Sequence, residues 1–498
     1  MPNLLFLYTD EQRFDTFAAT GNDRIDMPHL NKLASMGTTF TQTYCTQPVC
    51  TPSRGSIVSG LWPTQHGAEF NNMHIGQEIR CLPELLPAGQ YATGHFGKWH
   101  LGDEIYAQHG FEDWRSTEDT YHAFYSEGHE EFADRSSYHH WLVARGIQPE
   151  DRNSKLPSDK QHPAYENRFF RGQIHAFDEE HCRPAYLGNQ GEQFIRDHAD
   201  HPWVLYINFL EPHMPFTSCR DDQYSPEDVF LPENYIAPPG PDAALRARHQ
   251  AARYKANGYD GQRLSNEQDW RELTARYWGM NSLVDTHAGR ILAALEETGQ
   301  LDDTIIVWTS DHGDMMASHR IMGKGLMYEE SARVPLVIRL PGQSQPRRVD
   351  CPVSQIDLVP TLLEAMGHDG PDDLPGGSLL NCARGRDDQT GRNVYFQWNK
   401  PGSSKQDRPL QDWEQGLDDP DKILSLEAEE LRCVVTPDGW KLNLSSIGEH
   451  ELYDLTNDRG ETRNVLSRPD CKQTAESLVR AIHTWQDSID DSRHRVEL

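Results

Sequence analysis

Five short runs rich in β-branched and aromatic residues recur along the chain: Asn3–Thr9, Tyr91–Phe96, Trp203–Phe209, Thr304–Thr309 and Val334–Leu340. Each is followed by polar residues, and they alternate with helical patterns. That alternation is the signature of a largely parallel sheet covered by helices, and it predicts an α/β fold. Leu273, Tyr277, Leu283, Val284, Ile291, Leu292 and Leu295 recur at helical spacing and stop near Gly299, which suits the residue after a helix end. A second helix is expected from Gln355 to Met366, ending at Gly367.

Two stretches break this pattern. Residues 103–200 are polar, rich in His, Glu, Asp and Arg, and read as long loops and short helices inserted into the sheet domain; residues 217–265 form a second irregular insertion. Long insertions on a rigid scaffold tend to shape binding sites. After about residue 380 the runs Asn393–Trp398, Leu431–Val435, Trp440–Leu444 and Glu451–Leu455 look like antiparallel strands, closed by a helix near Thr474–Ile489. The expected organisation is a domain over residues 1–380 and a smaller C-terminal α+β domain over residues 381–498.

Charge narrows the partners. Acidic residues number 77 against 47 basic ones, a formal net charge of −30. Such a field repels phosphate, so no nucleic-acid partner is expected. No apolar run approaches the roughly 18 residues that a membrane helix needs, so no membrane partner is expected. The N-terminus lacks a basic stretch and a small-residue cleavage site, which points to a cytoplasmic location. Nine scattered cysteines fit reduced thiols better than a disulfide framework. Oligomeric state is not readable.

The sharpest motif is Cys50-Thr51-Pro52-Ser53-Arg54. It is joined by Gly97-Lys98-Trp99-His100-Leu101-Gly102 at the end of one expected strand and Ser310-Asp311-His312-Gly313 at the end of another. With these motifs in order, the chain resembles the type I sulfatase family, whose signatures are C-x-P-S-R and a G-K-W-H-L-G segment. The resemblance runs through residues 3–102 and 203–365 and includes Lys324-Gly325 and Tyr328–Leu336. It implies an alkaline-phosphatase-like fold, in which a large mixed, mostly parallel sheet is flanked by helices. It also implies one bound divalent cation, and oxidation of Cys50 to Cα-formylglycine by a separate maturation enzyme.

Physical chemistry gives each residue a reason. Sulfate monoesters hydrolyse very slowly, so a site must supply a strong nucleophile and neutralise the oxygens of the transferred group. An aldehyde at position 50 would hydrate to a diol: one hydroxyl attacks sulfur, and the other later ejects sulfate by reforming the aldehyde. Residue 50 is expected to sit just before a helix N-terminus, which favours an anion there, and Arg54, one turn in, can hold the diol or the metal-bound oxygens. Ligands in open α/β sheets collect beyond the carboxyl ends of strands, where Asp10 and Asp311 stand. The expected metal ligands are Asp10, Asp311 and His312, together with residue 50, and Glu11, which either coordinates with its longer arm or supports the ligands from behind. The family commonly has Asp-Asp and Asp-Asn where this chain has Asp10-Glu11 and Asp311-His312. Ca²⁺ is the ion expected, with Mg²⁺ and Mn²⁺ as alternatives because an imidazole suits softer cations better than calcium. By resemblance, Lys98 and His100 stabilise the diol, with His100 as the base that collapses the sulfated intermediate. His213 and Lys324 would bind sulfate oxygens and protonate the leaving alkoxide. His319 would line the substrate cleft.

These residues predict a sulfuric-ester hydrolase acting on a sulfated small molecule or glycan. Two competitors are a phosphonate monoester or phosphodiester hydrolase built on the same site, and a non-catalytic anion-binding protein with unconverted Cys50.

Overall fold

The computed structural model describes residues 1–119, 135–149, 177–259, 263–387, 390–400, 408–493 and 495–498. Eight strands make the main sheet: β1 (Asn3–Thr9), β2 (Thr38–Tyr44), β3 (Ala92–Gly97), β4 (Asp113–Arg115), β5 (Trp203–Phe209), β6 (Thr304–Ser310), β7 (Arg333–Arg339) and β8 (Arg347–Ser354). Their spatial order is β4-β3-β5-β1-β6-β7-β2-β8. All neighbours run parallel except β7, which is antiparallel to both β6 and β2. The sheet is therefore mixed and mostly parallel.

Why β1, β5 and β6 read as unbroken apolar runs is plain from their two faces. Leu5 and Leu7 of β1, with Leu205 and Ile207 of β5 and Ile306 and Trp308 of β6, enter one hydrophobic layer. Leu4 and Phe6, with Val204, Tyr206, Ile305 and Val307, enter the other. Successive side chains alternate between faces, so a central strand covered on both sides must be apolar at every position. Helices Pro28–Ser35, Arg183–Asp197 and Glu267–Glu297 supply Leu30, Leu187, Phe194, Ile291 and Leu295 to the first layer. Helices Cys50–Ser59 and Leu358–Met366 supply Ile57, Val58, Leu358 and Leu362 to the second.

The five apolar runs became β1, β3, β5, β6 and β7. Strands β2, β4 and β8 were not anticipated: Thr38–Tyr44 is built on threonine, and Arg347–Ser354 begins on two arginines. The long helix begins at Glu267, six residues before the first expected apolar position, where Asn266 accepts from the Asp269 amide. Within the 103–200 insertion the described residues include β4, the helix Ser137–Val143 and the helix Arg183–Asp197. Residues 120–134 and 150–176 lie outside the described residues. The 217–265 stretch carries a helix, Leu245–Asn257.

Four further strands, β9 (Val394–Trp398), β10 (Leu431–Val435), β11 (Trp440–Ser445) and β12 (Glu451–Asp454), form an antiparallel sheet in the order β12-β11-β10-β9. The helix Lys472–Ser488 covers it, packing Leu478, Val479 and Ile482 on Val434, Leu442 and Leu452. This sheet is joined to the main one. The Gln397 amide donates to the Thr46 carbonyl at 2.9 Å, and the Phe396 ring stacks on Tyr44 at 5.6 Å. Among the described residues no helix is long and apolar enough to cross a membrane.

Candidate active site

The site is assembled where β1, β3, β5 and β6 end. Asp10 follows β1 and Asp311 follows β6, and because these strands are parallel neighbours in register, both carboxylates emerge at one edge. Their amides continue the sheet: Asp10 N donates to Phe209 O and Asp311 N to Thr9 O, each at 3.1 Å. At the end of β3, Gly97 holds φ +105°, and a Cβ there would lie 1.9 Å from the Asn208 carbonyl oxygen. Only glycine allows this approach to β5. The chain then turns Lys98 toward Asp10.

Each residue of Cys50-Thr51-Pro52-Ser53-Arg54 has a visible task. Cys50 is itself the first residue of the buried helix Cys50–Ser59, rather than the residue before it. Ser53 Oγ donates to the Asp311 carbonyl and ties the helix to β6. Arg54 has no exposure and uses all three guanidinium nitrogens. Nε donates to Asp311 Oδ2 and Nη2 to Asp10 Oδ2, both at 2.8 Å; Nη1 donates to Lys98 O at 2.9 Å and to Asn208 Oδ1 at 2.8 Å. One rigid planar group thereby fixes both carboxylates relative to the helix. Asn208 was missed from the sequence. Its signal was present, a lone amide inside the apolar run of β5.

Around the Cys50 sulfur stand Lys324 Nζ at 3.2 Å, His312 Nε2 at 3.3 Å and Asp10 Oδ1 at 3.6 Å. Lys98 Nζ is 2.6 Å from Asp10 Oδ2. Lys324 Nζ is 3.2 Å and His213 Nε2 3.5 Å from Glu11 Oε2. His100 Nε2 donates to Asn72 Oδ1 at 2.9 Å, and Thr51 Oγ1 donates to His100 O at 3.0 Å. Asn71 Oδ1 accepts from the Thr51 amide, so the 71–72 loop borders the helix start. Glu11 and His100 both hold positive φ, 72° and 60°. Non-glycine residues are held there only where the surroundings over-determine them. Glu104, also unanticipated, braces His100 by accepting from the amides of Trp99 and His100.

His319 stands apart from this cluster. Its Nδ1 donates to Ala237 O at 2.8 Å and its ring stacks on Tyr328 at 4.7 Å, a packing role beneath the 233–237 segment rather than the cleft lining expected for it.

The electrostatics follow from burial. Burial alone would raise Asp10, yet Lys98, His213, Arg54 and Lys324 hold it well below the usual carboxylate range. Burial, reinforced by Asp314 and opposed by Lys324, pushes Glu11 up to about 8. The Cys50 thiol is pushed up to about 11 by burial and Asp10, against the pull of Lys324 and Lys98. Burial and the neighbouring cation Lys324 hold His213 well below its ordinary value.

A cation fits these residues. Ligand atoms of Asp10, Cys50, Asp311 and His312 all lie within 4.8 Å of one another. His312 Nδ1 donates to the Gly313 carbonyl at 2.9 Å, so the neutral ring turns a bare Nε2 toward Asp10 Oδ1 and Asp311 Oδ1, 3.6 Å from each. A nitrogen lone pair facing two carboxylate oxygens is repulsive without positive charge between them. Glu11, with Asp10 and His213, forms an adjoining group of the same kind.

Comparison with known proteins agrees with this arrangement. The family described as Sulfatase matches residues 2–368. The chain belongs to the sulfatase family. The uncharacterized sulfatase YidJ of Escherichia coli (strain K12) is 27% identical over 500 residues, covering 98% of this chain and 88% of that protein. The N-acetylglucosamine-6-O-sulfatase of Bacteroides thetaiotaomicron is 24% identical, covering 99% and 87%. Among solved structures, the phosphonate monoester hydrolase of Silicibacter pomeroyi superposes with a TM-score of 0.77 at 23% identity, covering 99% of this chain and 96% of that one. This sulfatase-family chain is therefore an enzyme of the sulfuric-ester hydrolase class.

Proposed function

We propose that this enzyme cleaves a sulfate monoester, on a glycan or oligosaccharide, using residue 50 as a Cα-formylglycine hydrate and one divalent cation. The observation that carries the reading is the setting of Cys50: the first residue of a buried helix, with an ammonium at 3.2 Å and a bare imidazole nitrogen at 3.3 Å. As a plain thiol raised to about 11, residue 50 would be a poor nucleophile at neutral pH. As a hydrated aldehyde it supplies one hydroxyl to attack sulfur and a second whose proton is removed when sulfate departs.

The remaining roles follow from position. Asp10, Asp311 and His312, with Glu11, would hold the cation, which supplies positive charge to the sulfate oxygens. Lys98 and Lys324 add two ammonium groups beside buried carboxylates. Arg54 fixes the two aspartates. Burial, with Lys98 and Arg54 nearby, keeps His100 neutral, the state a base needs. His213 commits its Nδ1 proton to the Met214 carbonyl and turns a bare Nε2 toward Glu11, so the proton for the leaving oxygen comes from Lys324, whose ammonium stands 3.2 Å from residue 50.

The glycan assignment draws on relatives whose names specify N-acetylglucosamine-6-O-sulfate and ulvan. The test is a release assay on sulfated monosaccharides and oligosaccharides beside a nitrophenyl sulfate and a phenyl phosphonate monoester. Sulfate release from a sugar ester supports the reading. Turnover of the aryl sulfate alone removes the glycan assignment, and faster turnover of the phosphonate replaces the reaction class.

A further inference from the structure

We propose a second metal site, of the zinc class, formed by Cys81, Glu84 and His109 beside Trp99. A sulfur, a carboxylate oxygen and a ring nitrogen of these residues all lie within 4.8 Å of one another. Cys81 is fully buried. The His109 side chain is 1% exposed and that of Glu84 31%, so two donors are enclosed and the third opens to solvent.

The site is built rather than incidental. His109 Nδ1 sits 3.5 Å from Glu84 Oε2 and makes no hydrogen bond among the described residues, although it is buried. A buried ring nitrogen without a partner costs free energy, which a bound cation would recover. The loop that carries it is forced down onto Glu84: His109 and Gly110 hold φ of 50° and 78°, and a Cβ on Gly110 would lie 2.8 Å from Glu84 Cγ. The Cys81 amide donates to Glu84 Oε2 at 3.0 Å and sets the carboxylate toward the sulfur.

Thiolate, imidazole and carboxylate together select Zn²⁺ over Ca²⁺ or Mg²⁺. Zinc bonds of about 2.0–2.3 Å require the three donors to close by only about 1 Å, leaving a fourth, solvent-facing position for water. As the zinc–sulfur bond forms, the Cys81 thiol proton passes to solvent. The His109 ring lies 5.9 Å from that of Trp99, between Lys98 and His100 in the chain. The ion thus ties the turn at Leu82–Leu85 to the 106–110 loop and stiffens the wall that carries those two residues.

Because Cys50 is itself a thiol in a metal-capable cluster, the test uses the full chain with Cys50→Ala. Titration with Co²⁺ is expected to give a near-ultraviolet thiolate-to-metal charge-transfer band that saturates at one ion per chain and is displaced by Zn²⁺. Adding Cys81→Ser is expected to abolish the band. Adding His109→Gln is expected to weaken Co²⁺ binding at least about tenfold, with circular dichroism unchanged. No band in the Cys50→Ala protein overturns the proposal, as does a band that survives Cys81→Ser. Unchanged affinity in the His109→Gln protein removes the histidine and with it the site. Should Cys81→Ser fail to fold, the first and third outcomes still decide.

Discussion

Lys98 Nζ lies 2.6 Å from Asp10 Oδ2, and neither side chain has any contact with solvent. Two further cations of the site also face Asp10, Arg54 at 2.8 Å and Lys324 at 3.9 Å. Replacing Lys98 with Ala strips a cation from a buried carboxylate. Stability is expected to fall by about 3–5 kcal/mol, and kcat/KM by about 10²-fold or more. Urea midpoints and initial rates on the same preparation measure both. A variant with wild-type turnover would remove Lys98 from the sulfate-binding groups.

Conversion of Cys50 is directly visible. The tryptic peptide containing residue 50, from protein made in a host with the maturation enzyme, is expected to be about 18 Da lighter than its cysteine form. Cys50→Ala is expected to leave no measurable turnover. Full activity with the peptide wholly in the thiol form would exclude the formylglycine route.

The cation is expected to be essential. Chelator-treated protein, verified metal-free by elemental analysis, should lose turnover and melt at lower temperature, since Asp10 Oδ1, Asp311 Oδ1 and His312 Nε2 then face one another with no cation between them. Readdition of Ca²⁺, Mg²⁺ and Mn²⁺ separately ranks the ions. His312→Asn should shift that ranking toward Ca²⁺, because an amide oxygen is the harder donor. An unshifted ranking would place His312 outside the coordination sphere.

His66 provides an acid-sensitive support for the helix that begins at Cys50. Its Nε2 donates to Pro52 O at 3.1 Å and its Nδ1 accepts from the Ala68 amide at 3.2 Å, which fixes the neutral ring. Burial lowers it to about 4. A histidine depressed in the folded state adds stability above its unfolded value, near 6.5, and that stability is lost as pH falls through about 4. The loss amounts to about 3 kcal/mol. Melting temperatures from pH 7 to pH 4 should therefore fall less steeply in His66→Gln than in the wild type. Parallel curves would mean that His66 titrates normally.

Gly55 faces the same ring. A Cβ there would sit 2.5 Å from His66 Cε1, so Gly55→Ala is expected to cost about 1–3 kcal/mol in denaturant unfolding. Turnover should fall as well, because the strained helix carries Cys50. An unchanged midpoint would show that the ring moves aside freely.

How much of this was legible depends on where the information lay. Strands β1, β5 and β6 were readable because burial on both faces forces continuous apolar sequence. Strand β2 was not: Thr38–Tyr44 lies between β7 and β8 with mostly threonine side chains, and Thr38, Thr41 and Thr43 there satisfy their hydroxyls on backbone or carboxylate oxygens. Local composition does not announce such a strand, since what makes it one is pairing with partners some three hundred residues away. The C-terminal strands were readable from their runs, while their docking on Tyr44 and Thr46 was not.

The chain by itself determined which side chains carry the chemistry. Cys50, Arg54, Lys98 and His100 stand in short motifs, and Asp10 and Asp311 follow runs that can only be buried strands. Only the tertiary structure decided which of them meet. It joined Lys324 and His213 to Glu11, left His319 packed on Tyr328, and added Asn208 and Glu104 as the groups that hold Arg54 and His100 in place. The reason is that a strand's periodicity specifies its face and its end, whereas convergence of side chains depends on strand order and register, which arise from contacts between segments far apart in sequence.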